Sequence, residues 1–123
     1  MSLLLYLTRS KPQESMTYKD AWTSLCPWNS IAPDLQPDNF TDDRKAGKTT
    51  FAKTHEEIAE KYLTLLDYAQ DDFMGLTYDD GNKKFANGEA VMIINGNWAI
   101  NQYKNSNPDV NVNMFALPAS DDE

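Results

Sequence analysis

The side chains best suited to contact a ligand in this sequence are aromatic rings and carboxamides. Indole faces pack against the C–H surfaces of sugar rings, while asparagine and aspartate oxygens accept hydrogen bonds from hydroxyl groups. This combination predicts a concave site with an apolar platform and a few polar groups around it. The candidate side chains are Trp22, Trp28, Trp98, Tyr18, Tyr78, Asn95 and Asn97.

Trp98 has the most suggestive position of the three tryptophans. The apolar run Ala90–Ile94 ends at Asn95-Gly96-Asn97, and Trp98 follows directly. The carboxyl end of a strand that leads into the start of a helix is a favoured ligand position in α/β folds. We therefore predict a ligand-binding role for Trp98. Trp28 lies beside a proline within an apolar face, and this favours a place in the core.

Catalytic and metal-binding motifs are not found. His55 is the only histidine, which excludes a H-E-x-x-H zinc site, and its place in the first turn of a capped helix predicts surface exposure. The segment 46–50, AGKTT, resembles the end of a phosphate-binding loop, but Asp42 stands where that motif needs glycine. Asp80 is expected to cap a helix, because lysines follow Gly81 where a calcium loop needs oxygen ligands. No catalytic residue, metal or cofactor is predicted.

Adjacent carboxylates leave one enzymatic alternative open. A glycan-active enzyme needs two carboxylates that face each other across a cleft, which sequence alone cannot establish. Neighbouring carboxylates usually indicate a solvated face instead. The pairs are Asp42-Asp43, Asp71-Asp72, Asp79-Asp80 and Asp121-Asp122.

Composition fits one soluble globular unit. The chain has 123 residues, of which 41% are hydrophobic and 24% charged. Its net charge of −8 repels phosphates, so we expect no nucleic-acid partner. Cys26 is the only cysteine and cannot form an internal disulfide. It sits among apolar residues, so a buried position is expected. The start, MSLLLYLTRS, has neither the basic region nor the cleavage site of a signal peptide, and both ends permit an excised piece of a longer protein.

The periodicity of apolar residues predicts alternating helices and strands. Leu3–Leu7 is predicted as a strand and Thr8–Met16 as a polar loop. Asp20–Ala32 is predicted as a helix that is capped by Asp20 and kinked or broken at Pro27. Segments 33–40 and 41–50 are predicted as turn and loop. The remaining predictions are a helix Thr54–Gln70 with a Thr54/Glu57 capping box, a helix Asp80–Ala86 closed by Gly88, a strand Ala90–Asn95, a helix Asn97–Asn107 capped by Asn97, and a strand Val110–Pro118.

The segment from Phe85 to Trp98 also resembles a known signature. It is similar to the pattern F-x-x-G-x-A-x-M-x-x-x-G-x-W of the extracellular sugar-binding proteins of ABC importers, the family that includes maltose-binding protein. The order of the other elements extends the resemblance over nearly the whole chain. The matching residues are Phe85, Gly88, Ala90, Met92, Gly96 and Trp98.

The resemblance implies a fold and a set of site residues. The expected fold class is α/β, mainly helical with a few short strands, and part of one lobe of a type II periplasmic-binding-protein fold. Residues 1–123 would be one unit, the central part of the carboxyl-terminal lobe. Trp98 would stack on the sugar, and Asn97 and Gly96 would shape the floor of the pocket. Trp22 and Asp20 would supply further contacts.

The function implied by the resemblance is non-catalytic. Such a protein binds an oligosaccharide without a cofactor and delivers it to the permease subunits of an ABC transporter. The parent protein would be extracellular, as a membrane-anchored lipoprotein or in the periplasm. Two alternatives remain: the glycan-active enzyme, and a helical interaction module without a ligand site. The interaction module predicts that Trp98 is fully buried.

Overall fold

The computed structural model describes residues 2–5 and 14–120. The strands are β1 Ser2–Leu5, β2 Glu14–Ser15, β3 Met92–Ile94 and β4 Asn113–Ala116. The α-helices are α1 Leu25–Leu35, α2 Phe40–Lys45, α3 Phe51–Thr54, α4 Glu56–Thr64, α5 Tyr78–Ala86 and α6 Ile100–Ser106. Short 3₁₀ turns lie at Ala21–Ser24, Leu65–Tyr68 and Asn97–Ala99. Within these two described ranges no helix is long and apolar enough to cross a membrane.

The four strands form one sheet in the order β2-β3-β1-β4. β1 runs antiparallel to both β3 and β4, whereas β2 runs parallel to β3. The predicted loop 8–16 is therefore wrong at Glu14 and Ser15, and residues 6–13 lie outside the described part. The Gln70 side chain fastens the strand to the rest of the fold, because its amide bonds the backbone N–H and C=O of Met16 at 2.8 and 2.5 Å.

β3 separates two apolar clusters. Because successive strand residues point to opposite faces, Ile93 packs on one side while Met92 and Ile94 pack on the other. The first cluster contains Phe85, Ala86, Ala90, Ile93, Ala99, Tyr103 and Val110, and the second contains Ile31, Ala32, Ile58, Leu117 and Ala119. Helices α5 and α6 thus cover one face and α1 and α4 the other, which agrees with the predicted α/β class.

The helix predicted over Asp20–Ala32 is divided differently. A 3₁₀ turn precedes α1, and Pro27 lies in the first turn of α1, so the predicted kink or break at Pro27 is wrong. The N–H groups of a first turn have no helical acceptor, so proline removes no hydrogen bond at that place. Cys26 is buried, as predicted.

The predicted helix Thr54–Gln70 is interrupted at His55. α3 ends at Thr54 and α4 begins at Glu56. The capping box is wrong, because the Thr54 hydroxyl donates to the Thr50 carbonyl oxygen at 3.2 Å and lies 2.7 Å from His55 Nδ1. Its side chain therefore serves the preceding helical turn.

His55 is buried, with 4% of its surface exposed, and the predicted surface position is wrong. Its ring centroid lies 4.4 Å from that of Phe40, 4.8 Å from that of Phe51 and 5.9 Å from that of Trp28. Phe40 begins α2 within the segments predicted as turn and loop. The buried ring of Phe40 holds α2 against the core. The charged residues that follow Phe40 predicted a loop and gave no sign of this helix.

The carboxyl-terminal half follows the sequence pattern more closely. α5 starts at Tyr78 with Thr77 as its N-cap, and the Thr77 hydroxyl accepts from the Asp80 N–H at 3.2 Å, so Asp80 itself is not the cap. Gly88 has a φ of 78°, which confirms the left-handed residue predicted after this helix. The residue before the Asn97–Ala99 turn is Gly96, so Asn97 is not the N-cap. The two predicted strands are present but shorter.

Candidate ligand-binding site

The turn after β3 presents an indole to solvent. Asn95 and Gly96 are buried, whereas Asn97 is exposed and Trp98 is 52% exposed. The exposed half of this large aromatic ring does not pack against the core, so its apolar surface is available to contact a ligand. The prediction of the interaction-module alternative, full burial of Trp98, is therefore not met.

A buried amide holds this turn in place. The Asn95 side-chain nitrogen donates to Asn82 Oδ1 at 3.1 Å and to the Tyr103 hydroxyl at 3.0 Å. Its oxygen accepts from the Gly96 N–H at 2.9 Å. The Asn82 nitrogen donates in turn to Gln102 Oε1 at 2.6 Å. Every hydrogen-bonding position of the Asn95 amide except one acceptor lone pair is thus occupied, which fixes the backbone that leads to Trp98.

Gly96 supports the indole directly. A Cβ atom on Gly96 would overlap Cε3, Cζ3 and Cη2 of Trp98. The six-membered ring therefore rests on the bare Cα of Gly96, although the φ of −99° at this glycine is open to any residue. The glycine is required for the close approach of the ring and not for its own backbone conformation.

A second aromatic group surrounds the start of α5. Trp22 is 48% exposed, and its ring centroid lies 4.9 Å from that of Tyr78 at an angle of 54°. The Asp20 carboxylate accepts from the Tyr78 backbone N–H at 2.6 Å. Asp20 does not cap its own helix as predicted, because no side-chain cap hydrogen bond forms there. It satisfies the N-terminal N–H of α5 instead, where the helix dipole favours a negative charge.

Helix α5 connects the two groups. Tyr78 and Asn82 are four residues apart, so they lie on one face of α5, about 6 Å apart along its axis. Tyr78 contacts Trp22 and Asp20, while Asn82 bonds the turn that carries Trp98. Within the described ranges no ring contact joins Trp22 to Trp98. The predicted residues therefore form two separate clusters, which are linked through helix α5, rather than one continuous site.

The sequence reasoning missed the residues that support this site. Asn82 lies with Gly81, Phe85 and Ala86 on the buried face of α5. A polar amide on this otherwise apolar face was the one sequence feature that could have indicated a buried hydrogen-bonding role. Tyr103 is buried on α6, and burial raises the pKa of its hydroxyl. Trp28 is half-buried against the second apolar cluster, in agreement with the predicted core position.

The chemistry that this arrangement supports is recognition. Exposed indoles offer apolar faces, and Asp20 and Asn97 offer polar atoms beside them. Over residues 2–5 and 14–120, no group of three or more His, Cys, Asp or Glu side chains could hold a metal ion.

Comparison with known proteins identifies the family. Residues 6–121 match the model of a protein family that is described as bacterial extracellular solute-binding protein. The chain is also similar to the multiple sugar-binding protein of Streptococcus mutans serotype c, with 32% identity over 72 residues, which are 54% of this chain and 17% of that protein. The chain thus spans about 17% of the length of this relative. Because the family match covers nearly the whole sequence, the chain belongs to the bacterial extracellular solute-binding proteins.

Proposed function

We propose that this chain contributes the sugar-contacting surface of an extracellular solute-binding protein. The half-exposed indole of Trp98, held on Gly96 after β3, is the observation that carries the proposal. The S. mutans relative is a multiple sugar-binding protein, which supports sugar as the solute class. The ligand would be an oligosaccharide, because two separate aromatic clusters offer more than one place for a ring to stack.

The two clusters would divide the work of binding. Trp98 would stack on one ring, and Trp22 with Tyr78 would contact another. The exposed Asn97 amide and the Asp20 carboxylate would bond sugar hydroxyl groups, the latter through a charge-assisted hydrogen bond. No bond in the ligand is made or broken, so the chain acts as a binding protein and not as an enzyme.

The parent protein would deliver its ligand to a membrane transporter. We place residues 1–123 in the central part of the carboxyl-terminal lobe of a two-lobe type II binding protein. Closure of both lobes on the sugar would create the form that the permease subunits of an ABC transporter recognise. The parent would act outside the cytoplasm, in the periplasm or as a lipoprotein anchored to the membrane.

Calorimetric titration of the intact parent protein with a panel of oligosaccharides tests this proposal. We expect saturable binding of at least one sugar, with a weaker affinity in Trp98→Ala. Tyr68→Ala is a matched control, because Tyr68 is an exposed aromatic residue outside both clusters. A folded parent protein that binds no sugar, or equal losses in the two variants, would contradict the proposed site.

A further inference from the structure

Gln102 lies one helical turn beyond Trp98. The backbone stays helical from the Asn97–Ala99 turn into α6, so these two residues, four apart, are neighbours on one side of the segment. Helical side chains lean toward the amino end, which brings the Gln102 amide toward Trp98. Gln102 is exposed and lines an open groove of about 220 Å³ between α5 and α6. A ligand that stacks on Trp98 therefore has space to contact this amide.

Two buried amides join the Gly96 backbone to Gln102, and the backbone N–H fixes the direction of the whole row. The Gly96 N–H can only donate, so Asn95 turns its oxygen toward it, at 2.9 Å. The Asn95 nitrogen then donates to Asn82 Oδ1 at 3.1 Å, and the Asn82 nitrogen donates to Gln102 Oε1 at 2.6 Å. Reversal of any one of these amides would set two donors or two acceptors against each other.

The direction of this row leaves the NH₂ group of Gln102 for a ligand. Its oxygen is engaged by Asn82, which is buried and holds the Gln102 amide in one orientation. The Gln102 nitrogen makes no hydrogen bond within residues 2–5 and 14–120. An amide that is already oriented loses less freedom on binding than an unattached surface side chain does. Gln102 thus presents a fixed donor beside the exposed indole.

A fixed donor complements the other groups of the site. The Asp20 carboxylate offers acceptors only, whereas the hydroxyl and ring oxygens of a sugar also need donors. A sugar ring that stacks on an indole directs these oxygens outward from its edge. Resting on the proposed function, we propose that Gln102 Nε2 donates a hydrogen bond to an oxygen of the sugar ring stacked on Trp98. Gln102 is then a specificity-determining residue, which selects sugars with an acceptor at that edge.

Calorimetric titration of the intact parent protein with four trisaccharides, maltotriose, isomaltotriose, cellotriose and xylotriose, tests this proposal. Gln102→Glu keeps the size of the side chain and an oxygen for Asn82, but it replaces the outward donor by an acceptor. This variant should bind roughly tenfold more weakly. Asn101→Asp adds the same charge at the adjacent exposed residue, outside the groove, and should leave the affinity nearly unchanged.

Urea denaturation of two variants checks the direction of the Gln102 amide. Gln102→Glu retains an acceptor for Asn82 and should keep the wild-type urea midpoint. Gln102→Ala leaves the buried Asn82 nitrogen without this partner and should lower the midpoint. An equal fall in the two variants would mean that the donor of Gln102 faces inward, and it would overturn the proposal.

The possible outcomes separate the role of Gln102 from the proposed function. Binding that is lost in Trp98→Ala but undiminished in folded Gln102→Glu would overturn the role of Gln102 and leave the sugar site standing. Equal losses in Gln102→Glu and Asn101→Asp would do the same, because the added charge alone would then account for them. A folded parent protein that binds none of the four trisaccharides would overturn both proposals.

Discussion

Replacing Asn95 by alanine should reveal how much the buried amide contributes to the site. Asn95 is 2% exposed and makes three hydrogen bonds, to Asn82, Tyr103 and the Gly96 N–H. At about 1 kcal/mol net for each bond, the substitution should lower the free energy of unfolding by roughly 3 kcal/mol. Partners left unsatisfied in the core carry a desolvation cost that adds to this loss.

Urea denaturation measures this change, with Asn105→Ala on the exposed side of α6 as the control. Asn105→Ala should alter the free energy of unfolding by less than about 0.5 kcal/mol. The same Asn95→Ala protein should show altered fluorescence of Trp98 and weaker sugar binding under conditions where it is still folded, because the turn beneath the indole has lost its support. A loss of less than 1 kcal/mol relative to the control would refute the role assigned to the amide network.

Three further predictions follow from the geometry. Gly96→Ala should displace the Trp98 indole and weaken sugar binding at least tenfold. Little stability should be lost, because the ring can turn into solvent. Unchanged sugar affinity and Trp98 fluorescence would contradict the packing of the indole on Gly96. The raised pKa of Glu14 should make the protein less stable by roughly 3 kcal/mol as pH rises from about 4.5 to about 7, since the folded state holds this proton longer. Urea denaturation at several pH values should show that Glu14→Gln removes this pH dependence of stability. An unchanged pH dependence in the variant would contradict the role of Glu14. Burial lowers the pKa of His55, so stability should fall as pH drops below about 6.5, and His55→Phe should lessen this loss.

Local sequence patterns were sufficient where the structure is local. The Gly88 turn and strand β3 depend on neighbouring residues, and the predicted position of Trp98 at the end of that strand was correct. The same local reasoning placed Asp20 at the start of its own helix. Its actual partner, the Tyr78 N–H, lies 58 residues away, so only the tertiary fold reveals it.

Packing between distant segments explains the remaining errors. Glu14 and Ser15 look like loop residues, but pairing with β3 and the Gln70 amide makes them a strand. His55 looks like a surface residue of a capped helix, yet the rings of Phe40 and Trp28 from other segments enclose it together with Phe51, one turn earlier. Hydrophobic periodicity carries no information about such partners, because they are separated along the chain and meet only after folding.

The most direct test of the central claim is calorimetric titration of the intact parent protein and its Trp98→Ala variant with oligosaccharides. The exposed half of an indole offers on the order of 100 Å² to a sugar ring, which corresponds to about 2.5 kcal/mol at roughly 25 cal/mol per Å². We therefore expect binding of one sugar at micromolar concentration or below and a loss of at least tenfold, approaching a hundredfold, in the variant. Unchanged affinity in a folded Trp98→Ala protein, or no binding of any sugar by the folded parent, would contradict the account.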